Sequence, residues 1–361
     1  MTFLKNFTLL SFFVIAVSSC NKNNDATGAE FASNNSIKAI STGSYNSLVI
    51  KNDNSVLGMG DAGAATAFTS IPFLNFSTGA KSVSASTYYS FILKTDGTVL
   101  AKGIHRNGEF GVGDTITATQ FKQIFTNASD ISAGYSHSLI LKTDGTVWAS
   151  GKNKNGALGT GDTISVNSFI QIATNVKAIS AGDEFTMILK NDGTVWATGY
   201  NAEGQLGDGT NVKRKVFAQV ASNVQAISAG GGHSLILKTD NTVWATGLNR
   251  YGAFGTGDTT SVNRFIQINN DVKSISAGYS NSFLIKTNGT LIATGYNNDG
   301  QLGDGTNINS RKTFTQVASD VLSVSPGWYY TLILKNDQRV YSSGNSGGQA
   351  NGNNFVLLPF Q

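Results

Sequence analysis

Residues 134–159 read GYSHSLILKTDGTVWASGKNKNGALG, and variants of this stretch recur along most of the 361-residue chain. Each copy is preceded by a sequence like Ile-Ser-Ala. The first residue of the copy recurs every 48 residues in the central repeats. Four Ile-Ser-Ala-Gly copies end at Gly134, Gly182, Gly230 and Gly278, and three variants end at Gly43, Ser86 and Gly327. A Phe that opens an alternating segment keeps the same interval, with one exception of 49 residues. Two markers that share one period predict seven tandem repeats from residue 37 onward.

Each repeat contains four short segments rich in β-branched and aromatic residues, for example residues 169–172, 176–182, 185–190 and 195–199. Several copies place Asp-Gly between the last two segments, which suits the left-handed dihedrals of a tight hairpin turn. Four antiparallel strands in a repeat of this length are typical of a propeller blade. The small Ser-Ala-Gly segment predicts the innermost strand, where blades taper towards the axis. The predicted fold class is therefore all-β, a seven-bladed β-propeller of four-stranded antiparallel blades over residues 37–361.

One strand of the predicted propeller is not supplied by the repeats themselves. Seven repeats are present, but only six of the Phe-led segments precede them. The C-terminal segment 355–360 (FVLLPF) is predicted to supply the seventh, docking beside the first unit so that the ring closes without an exposed sheet edge. The alternative is that the segment around Phe31 fills this place.

The N-terminal residues differ in composition from the repeats. Residues 1–19 have a short basic start and an apolar run too short to span a bilayer, which indicates a signal peptide. Val17-Ser18-Ser19-Cys20 resembles the lipobox of bacterial lipoproteins, and the resemblance implies cleavage before Cys20 and its acylation. Residues 20–36 are polar and Asn-rich and are predicted to form a flexible tether. We expect a protein that is lipid-anchored to a bacterial membrane, with Asn21 favouring the outer membrane, and its orientation there is left open.

The repeat consensus Gly-x-x-His-Ser-Leu-x-Leu-x-x-Asp-Gly-x-Val-Trp-x-x-Gly-x-Asn-x-x-Gly-x-Leu-Gly resembles the regulator of chromosome condensation repeat. Residues 134–159 and 230–255 carry it most fully, and the resemblance extends from residue 37 to about residue 350. It implies a seven-bladed propeller but no single activity, since the family includes the exchange factor for the GTPase Ran, a plant ultraviolet photoreceptor and secreted bacterial inhibitors of β-lactamases. The constant period leaves no room for the inserted wedge of the exchange factor. Three Trp residues at one repeat position indicate blade packing rather than a chromophore: Trp148, Trp196 and Trp244.

The sequence contains no arrangement of residues that predicts catalysis. His137 and His233 share a repeat position that holds Phe185 in another copy, which indicates packing, and His105 stands alone without the spacing of a zinc site. The match to Gly-x-Ser-x-Gly at residues 344–348 is followed by a loop, whereas a nucleophile elbow needs a helix. We therefore expect no enzyme, no metal and no cofactor.

Charge excludes a further class of function. The chain has 26 basic and 22 acidic side chains and a net charge of +4, too small and too scattered a surplus to indicate nucleic acid as a partner.

Five aspartates recur in Gly-Asp-Thr or Gly-Asp-Gly turns and are predicted to stabilise those turns rather than to bind calcium. They are Asp114, Asp162, Asp208, Asp258 and Asp304.

The strand order places two sets of loops at one end of the blades: the turn after Ser-Ala-Gly and the long loop after Val-Trp. These loops are rich in Tyr, Trp and Arg, the residue types most enriched at binding hot spots. The predicted ligand-binding residues are Tyr45, Tyr88, Tyr89, Tyr135, Tyr279, Tyr329, Arg106, Arg250 and Tyr251. We expect a monomeric, membrane-tethered, non-enzymatic scaffold that binds a protein ligand through this Tyr-rich face. A glycan or cell-surface ligand is the alternative.

Overall fold

The computed structural model describes residues 36–60, 74–345 and 352–358, and every regular element in these residues is a β-strand. The 28 strands form seven four-stranded antiparallel sheets arranged as the blades of a propeller, which confirms the predicted fold. Each blade takes four consecutive strands in chain order, so blades 1 to 7 follow the sequence. None of the described residues forms a helix long and apolar enough to cross a bilayer.

The strands of the first four blades have the following bounds. Blade 1 contains β1 (Ile37–Thr42), β2 (Asn46–Lys51), β3 (Val56–Gly60) and β4 (Leu74–Ser77). Blade 2 contains β5 (Ala80–Ala85), β6 (Tyr89–Lys94), β7 (Val99–Gly103) and β8 (Ala118–Phe125). Blade 3 contains β9 (Ala128–Ala133), β10 (His137–Lys142), β11 (Val147–Gly151) and β12 (Val166–Ala173). Blade 4 contains β13 (Val176–Ala181), β14 (Phe185–Lys190), β15 (Val195–Gly199) and β16 (Arg214–Ala221).

The remaining three blades repeat this plan. Blade 5 contains β17 (Val224–Ala229), β18 (His233–Lys238), β19 (Val243–Gly247) and β20 (Val262–Asn269). Blade 6 contains β21 (Val272–Ala277), β22 (Asn281–Lys286), β23 (Leu291–Tyr296) and β24 (Ser310–Ala318). Blade 7 contains β25 (Val321–Pro326), β26 (Tyr330–Lys335), β27 (Val340–Gly344) and β28 (Val356–Leu357).

The hydrophobic core lies between neighbouring blades. Leu139 and Val147 of blade 3, for example, pack in one cluster with Val176 and Ile188 of blade 4. The second strand of each blade is buried at five consecutive positions, because both faces of its sheet are covered by other blades. Successive apolar residues in these strands therefore follow from burial on both faces.

The innermost strands are the Ser-Ala-Gly segments, as predicted, and in six of the seven a serine joins neighbouring blades. In the junction between blades 3 and 4, Ser132 Oγ accepts a hydrogen bond of 3.0 Å from the N–H of Ala181. The same bond, of 2.9–3.0 Å, is made by Ser41, Ser84, Ser180, Ser228 and Ser325. At the junction between blades 6 and 7 the donor position is occupied by Pro326, which has no N–H to offer Ser276. We call these bonds the serine latches.

The C-terminal strand lies in a different place from the one that the sequence predicted. β28 pairs with β27 and completes blade 7, so the prediction that it docks beside the first unit is wrong. The reason is that chain order and strand order run together in every blade, from the axis outwards. The missing Phe-led strand is thus the outermost strand of the last blade.

The ring is closed by side chains of blade 7 against blade 1. Thr42 N–H donates to Ser325 Oγ at 2.9 Å, and the Thr42 hydroxyl donates to the Ser325 carbonyl oxygen at 2.8 Å. Apolar residues of both blades share one cluster, which includes Val49 and Leu332. The alternative closing segment around Phe31 lies outside the described residues, as do residues 1–19, Cys20 and the tether up to residue 35.

Candidate ligand-binding face

One end of the propeller carries the turns between the first and second strands and the long loops after the third strands. We call this end the ligand face. Its seven inner turns, which surround the axis, are residues 43–45, 86–88, 134–136, 182–184, 230–232, 278–280 and 327–329. Each turn begins at the Gly or Ser that ends the repeat marker, where the neighbouring blade approaches closely. A Cβ atom at Gly134, for example, would lie 2.7 Å from the carbonyl oxygen of Gly182.

Aromatic side chains of three successive blades are in contact around part of the axis. Tyr279 stacks on Trp328 with ring centroids 3.9 Å apart and an interplanar angle of 15°. The ring centroids of Trp328 and Tyr329 are 5.6 Å apart, and those of Tyr329 and Tyr45 are 5.8 Å apart across the junction of blades 7 and 1. These four residues form what we call the aromatic arc. Because stacked rings restrict one another, the arc presents a preorganised apolar surface.

A second aromatic pair stands at blades 2 and 3. The rings of Tyr88 and Tyr135 meet edge-to-face at 5.7 Å, and their hydroxyl oxygens lie 3.4 Å apart. The hydrogen bond to Tyr88, with burial as the second cause, raises the pKa of Tyr135 to about 12. The Tyr135 hydroxyl is therefore protonated at physiological pH.

The inner turns of blades 4 and 5 contain no aromatic residue, so aromatic side chains do not surround the axis completely. Blade 4 has Asp183 and Glu184 in its inner turn, and blade 5 has Gly231 and Gly232. A Cβ atom at Gly231 would lie 2.7 Å from the ring of Tyr279, so the absence of a side chain there makes room for that ring.

A cavity of about 120 Å³ opens on the axis between the inner turns. Its larger lining side chains are Asp183, Tyr135, Tyr279 and Trp328, and the rest of the wall is Gly, Ala, Ser, Thr and one Pro. Burial, reinforced by the neighbouring Glu184, raises the pKa of Asp183 to about 7. Glu184 itself is held by Lys152 and Asn155, whereas Asp183 has no hydrogen-bond or ion-pair partner among the described residues. We call this space the axial cavity.

The outer loops of the ligand face carry the other predicted residues. Arg106 and Arg250 are exposed, and the Arg250 guanidinium lies over the ring of Tyr251 at 5.3 Å. Tyr251 in turn meets Tyr296 edge-to-face at 5.0 Å. Arg250 and Tyr251 thus belong to one contact group on blades 5 and 6.

Tyr89 does not belong to the ligand face, and its prediction as a ligand-binding residue is wrong. It is fully buried, and its hydroxyl lies 2.9 Å from the carbonyl oxygen of Gly134 and 2.8 Å from that of His137. Tyr89 is the first residue of β6 and points between blades, whereas Tyr88 is the last residue of the turn. The structure places Tyr45, Tyr88, Tyr135, Tyr279 and Tyr329 around the axis.

Sequence reasoning did not single out Asp183. The signal was present, because Asp183 is the only carboxylate at the position that follows the repeat marker; the other copies have Ser44, Thr87, Tyr135, Gly231, Tyr279 and Trp328. One carboxylate in one repeat forms no motif, and its lack of a partner is visible only in three dimensions.

The histidines hold positions in the interior. His137 Nε2 lies 2.9 Å from Thr186 Oγ1, and His233 Nε2 lies 3.0 Å from Ser282 Oγ, each across a blade junction. Burial lowers the pKa of both imidazoles to about 4, so they are neutral at physiological pH. His105 is buried against Phe110, with ring centroids 3.9 Å apart. Within residues 36–60, 74–345 and 352–358 no three His, Cys, Asp or Glu side chains are grouped as metal ligands.

The recurrent aspartates stabilise turns, as predicted. Asp162 accepts hydrogen bonds from the N–H of Ile164 at 3.0 Å, from Thr160 at 2.9 Å and from the side chain of Asn153 at 3.0 Å. Asp208 makes the corresponding bonds to Thr210 and pairs with Arg214. Ser346 of the Gly-x-Ser-x-Gly match lies outside the described residues.

Comparison with known proteins agrees with this architecture. Yeast RCC1 (Prp20), in its structure with Kap60, superimposes with a TM-score of 0.70 at 22% identity, over 81% of this chain and 78% of that one. Human WBSCR16 gives a TM-score of 0.70 at 18% identity, over 81% of this chain and 84% of its own. Prp20p from Saccharomyces cerevisiae, studied for its binding to Gsp1p and histones, gives 0.70 at 21% identity, over 84% of each chain.

At these identities the superpositions establish the fold alone. No curated protein matches the chain in a sequence search. The family assignment comes from residues 119–356, which match the RCC1-like domain and make up more than half of the chain. With seven blades built from this repeat, the chain belongs to the RCC1-like domain family.

Proposed function

We propose that this chain is a non-enzymatic scaffold that binds a protein ligand through its ligand face while a lipid on Cys20 tethers it to a bacterial membrane, with the outer membrane as its expected location. RCC1-like propellers generally serve as binding or exchange-factor scaffolds rather than as catalysts. The tether rests on the lipobox-like sequence at residues 17–20.

The aromatic arc is the observation that carries the proposal. Tyr279 is exposed, and Trp328, Tyr329 and Tyr45 are half-buried beside it, so the arc offers a continuous apolar surface with polar edges. Tyr and Trp bring large contact area with few rotatable bonds, which is why they dominate interface energetics. Their stacking reduces the entropy that would otherwise be lost when a ligand docks.

Site-specific photocrosslinking in the native host tests the proposal. A benzophenone amino acid at Tyr135 is expected to crosslink one protein partner, and the same probe at Tyr341 is the control. Tyr341 lies in a strand, and its hydroxyl bonds Asp337 in the turn at the opposite end of the blade. The purified partner should then bind the unmodified chain, and the double variant Tyr135→Ala with Tyr279→Ala should lose this binding at an unchanged melting temperature. Retained binding by the double variant would exclude the ligand face.

A surface glycan is the second candidate ligand, since the outward faces of the stacked Tyr279 and Trp328 rings could support the apolar face of a sugar. A glycan array separates the two. Saturable binding to a defined glycan that is lost in Trp328→Ala, together with an absence of any protein crosslink at Tyr135, would favour this candidate.

A further inference from the structure

The axial cavity is lined by the Asp183 carboxylate, which no cation or hydrogen-bond donor of the described residues contacts. Two other semi-buried carboxylates have partners within the chain: Asp208 pairs with Arg214, and Glu184 with Lys152. Asp183 is half-buried between the inner turns and has no such partner among the described residues. A desolvated carboxylate without a partner is costly in the charged form, so an external cation that enters the cavity would be attracted strongly.

Aromatic rings line the same space. Tyr135, Tyr279 and Trp328 surround the cavity together with Asp183. The face of an aromatic ring attracts an ammonium or guanidinium group that lies within about 6 Å of its centroid. This chain already makes such contacts, since Lys190 Nζ lies 4.2 Å from the ring centre of Trp196 and Lys238 Nζ lies 4.1 Å from that of Trp244.

The cation has to come from outside the described part of the chain. No Lys or Arg is among the described residues that line the cavity, and Lys152, which is held by the adjacent Glu184, is not one of them. The volume of about 120 Å³ is several times the space that a water molecule needs, which suits the end of one side chain and not a folded loop. The small residues of the wall keep this space free.

We infer that the axial cavity receives the cationic end of a Lys or Arg side chain of the protein ligand, held between the Asp183 carboxylate and the rings of Tyr135, Tyr279 and Trp328. This inference rests on the proposed function in one respect, namely that the ligand is a protein. It adds the chemistry of the group that would anchor that ligand on the propeller axis.

Small probes test the cavity without the partner. The complete chain, labelled with 5-fluorotryptophan and solubilised in detergent, is titrated with Nα-acetyl-lysine N-methylamide while the Trp328 fluorine resonance is followed; Trp328→Phe assigns it. The neutral control is the norleucine analogue, and arginine and citrulline derivatives form a second matched pair. We expect saturable shifts with the cationic probes and at least tenfold weaker binding of the neutral ones. Equal binding within each pair would overturn the inference.

Two matched variants test whether the lysine probe binds at Asp183. Asp183→Asn is expected to weaken the binding of the lysine probe at least tenfold at pH 8, and Asp192→Asn should leave it within twofold. Asp192 belongs to the same blade at the opposite end, and Asn288 already supports the equivalent turn by accepting a 3.0 Å hydrogen bond from Thr290 N–H. Unchanged binding by Asp183→Asn, with an intact circular dichroism spectrum, would refute the inference.

A measurement on the unmodified chain avoids any question of folding. The lysine probe stays charged between pH 6 and 8. Beside Asp183 lie Glu184, which is paired with Lys152, and the phenols of Tyr135 and Tyr279. The pKa values of both phenols are raised, so they stay neutral over this range. Affinity should therefore rise about tenfold over this range as Asp183 ionises. A flat profile would count against Asp183 as the anchor. If the probes fail but crosslinking at Tyr135 captures a protein, only this inference falls; if the probes bind and no protein is captured, the proposed function falls.

Discussion

The hydroxyl of Tyr330 in blade 7 donates a 2.8 Å hydrogen bond to the carbonyl oxygen of Asn46 in blade 1, although 284 residues separate them. The same hydroxyl lies 2.6 Å from Ser47 Oγ. Between blades 2 and 3 the Tyr89 hydroxyl makes the equivalent bonds, donating to the carbonyl oxygen of His137 and accepting from Ser138 Oγ. One repeat position thus joins blades both within the chain and across its closing junction.

Tyr330→Phe is expected to reduce the free energy of unfolding by about 1 kcal/mol, the usual contribution of a buried neutral hydrogen bond. The substitution is sterically mild, since Phe185 occupies the equivalent position in blade 4. Chemical denaturation measures the loss, and hydrogen exchange should accelerate in β1 and β25.

Tyr89→Phe is the matched control for this substitution. It should cost a similar free energy without accelerating exchange in β1 or β25, because it loosens a different junction. Equal exchange patterns in the two variants would show that Tyr330 has no particular role in closing the ring.

Ser132→Ala removes one serine latch and leaves the N–H of Ala181 without its acceptor, which should cost about 1–2 kcal/mol of stability. Ser276→Ala makes the same change where Pro326 provides no donor, and it should alter stability by less than about 0.5 kcal/mol. Urea denaturation of the two variants checks the difference. Equal losses would mean that the hydroxyl contributes through something other than the latch.

Asp183→Asn is expected to stabilise the protein at high pH. The pKa of Asp183 is about 7 in the folded chain, well above its ordinary value, so the folded state binds the proton more tightly than the unfolded state. Stability therefore falls as the pH rises from about 4 to 7, because ionisation of the buried carboxyl is penalised. The amide removes this penalty and should raise the free energy of unfolding at pH 8 by about 1–2 kcal/mol, after allowance for partial solvent screening.

Thermal denaturation at pH 4 and pH 8 measures this effect. The gain should be much smaller at pH 4, where Asp183 is protonated in the folded state and only about half ionised in the unfolded state. Asp192→Asn is the control and should give no gain at pH 8, because hydrogen bonds from Thr194 lower the pKa of Asp192. An equal effect of Asp183→Asn at both pH values would contradict the assignment.

Cys20→Ser should release the chain from the membrane fraction and abolish the incorporation of labelled palmitate. The expected loss is nearly complete, because Cys20 is the sole cysteine of the chain and the predicted acylation site. Ser19→Ala, which keeps a small residue before Cys20, is the control and should stay in the membrane fraction. Continued membrane association of Cys20→Ser would show that another element anchors the protein.

The sequence predicts the blades well because the repeat encodes each strand locally, through β-branched residues, Asp-Gly turns and the small inner segment. It does not define where a blade begins. A period of 48 residues can be divided before the Phe-led strand or before the Ser-Ala-Gly strand. The pairing of each Phe-led strand with the strand before it decides for the second division.

On the ligand face, too, the sequence predicts the residue types but not how their side chains are arranged in space. Tyr88 and Tyr89 are adjacent and chemically identical, yet one lies in the turn and the other between blades, because β6 begins between them. The stacking of Tyr279 on Trp328 depends on the glycine at position 231 of a third blade. Neither relationship follows from residue types alone.

Each blade is a contiguous stretch of chain and exchanges no described strand with another blade. A duplication or loss of one 48-residue unit would therefore insert or remove a whole blade without breaking any sheet. The serine latches and the Tyr330 bond would then be the parts that must be re-formed at the new junction. Such an arrangement lets recombination vary the width of the axial cavity in whole-blade steps, while point substitutions in the seven inner turns vary its chemistry.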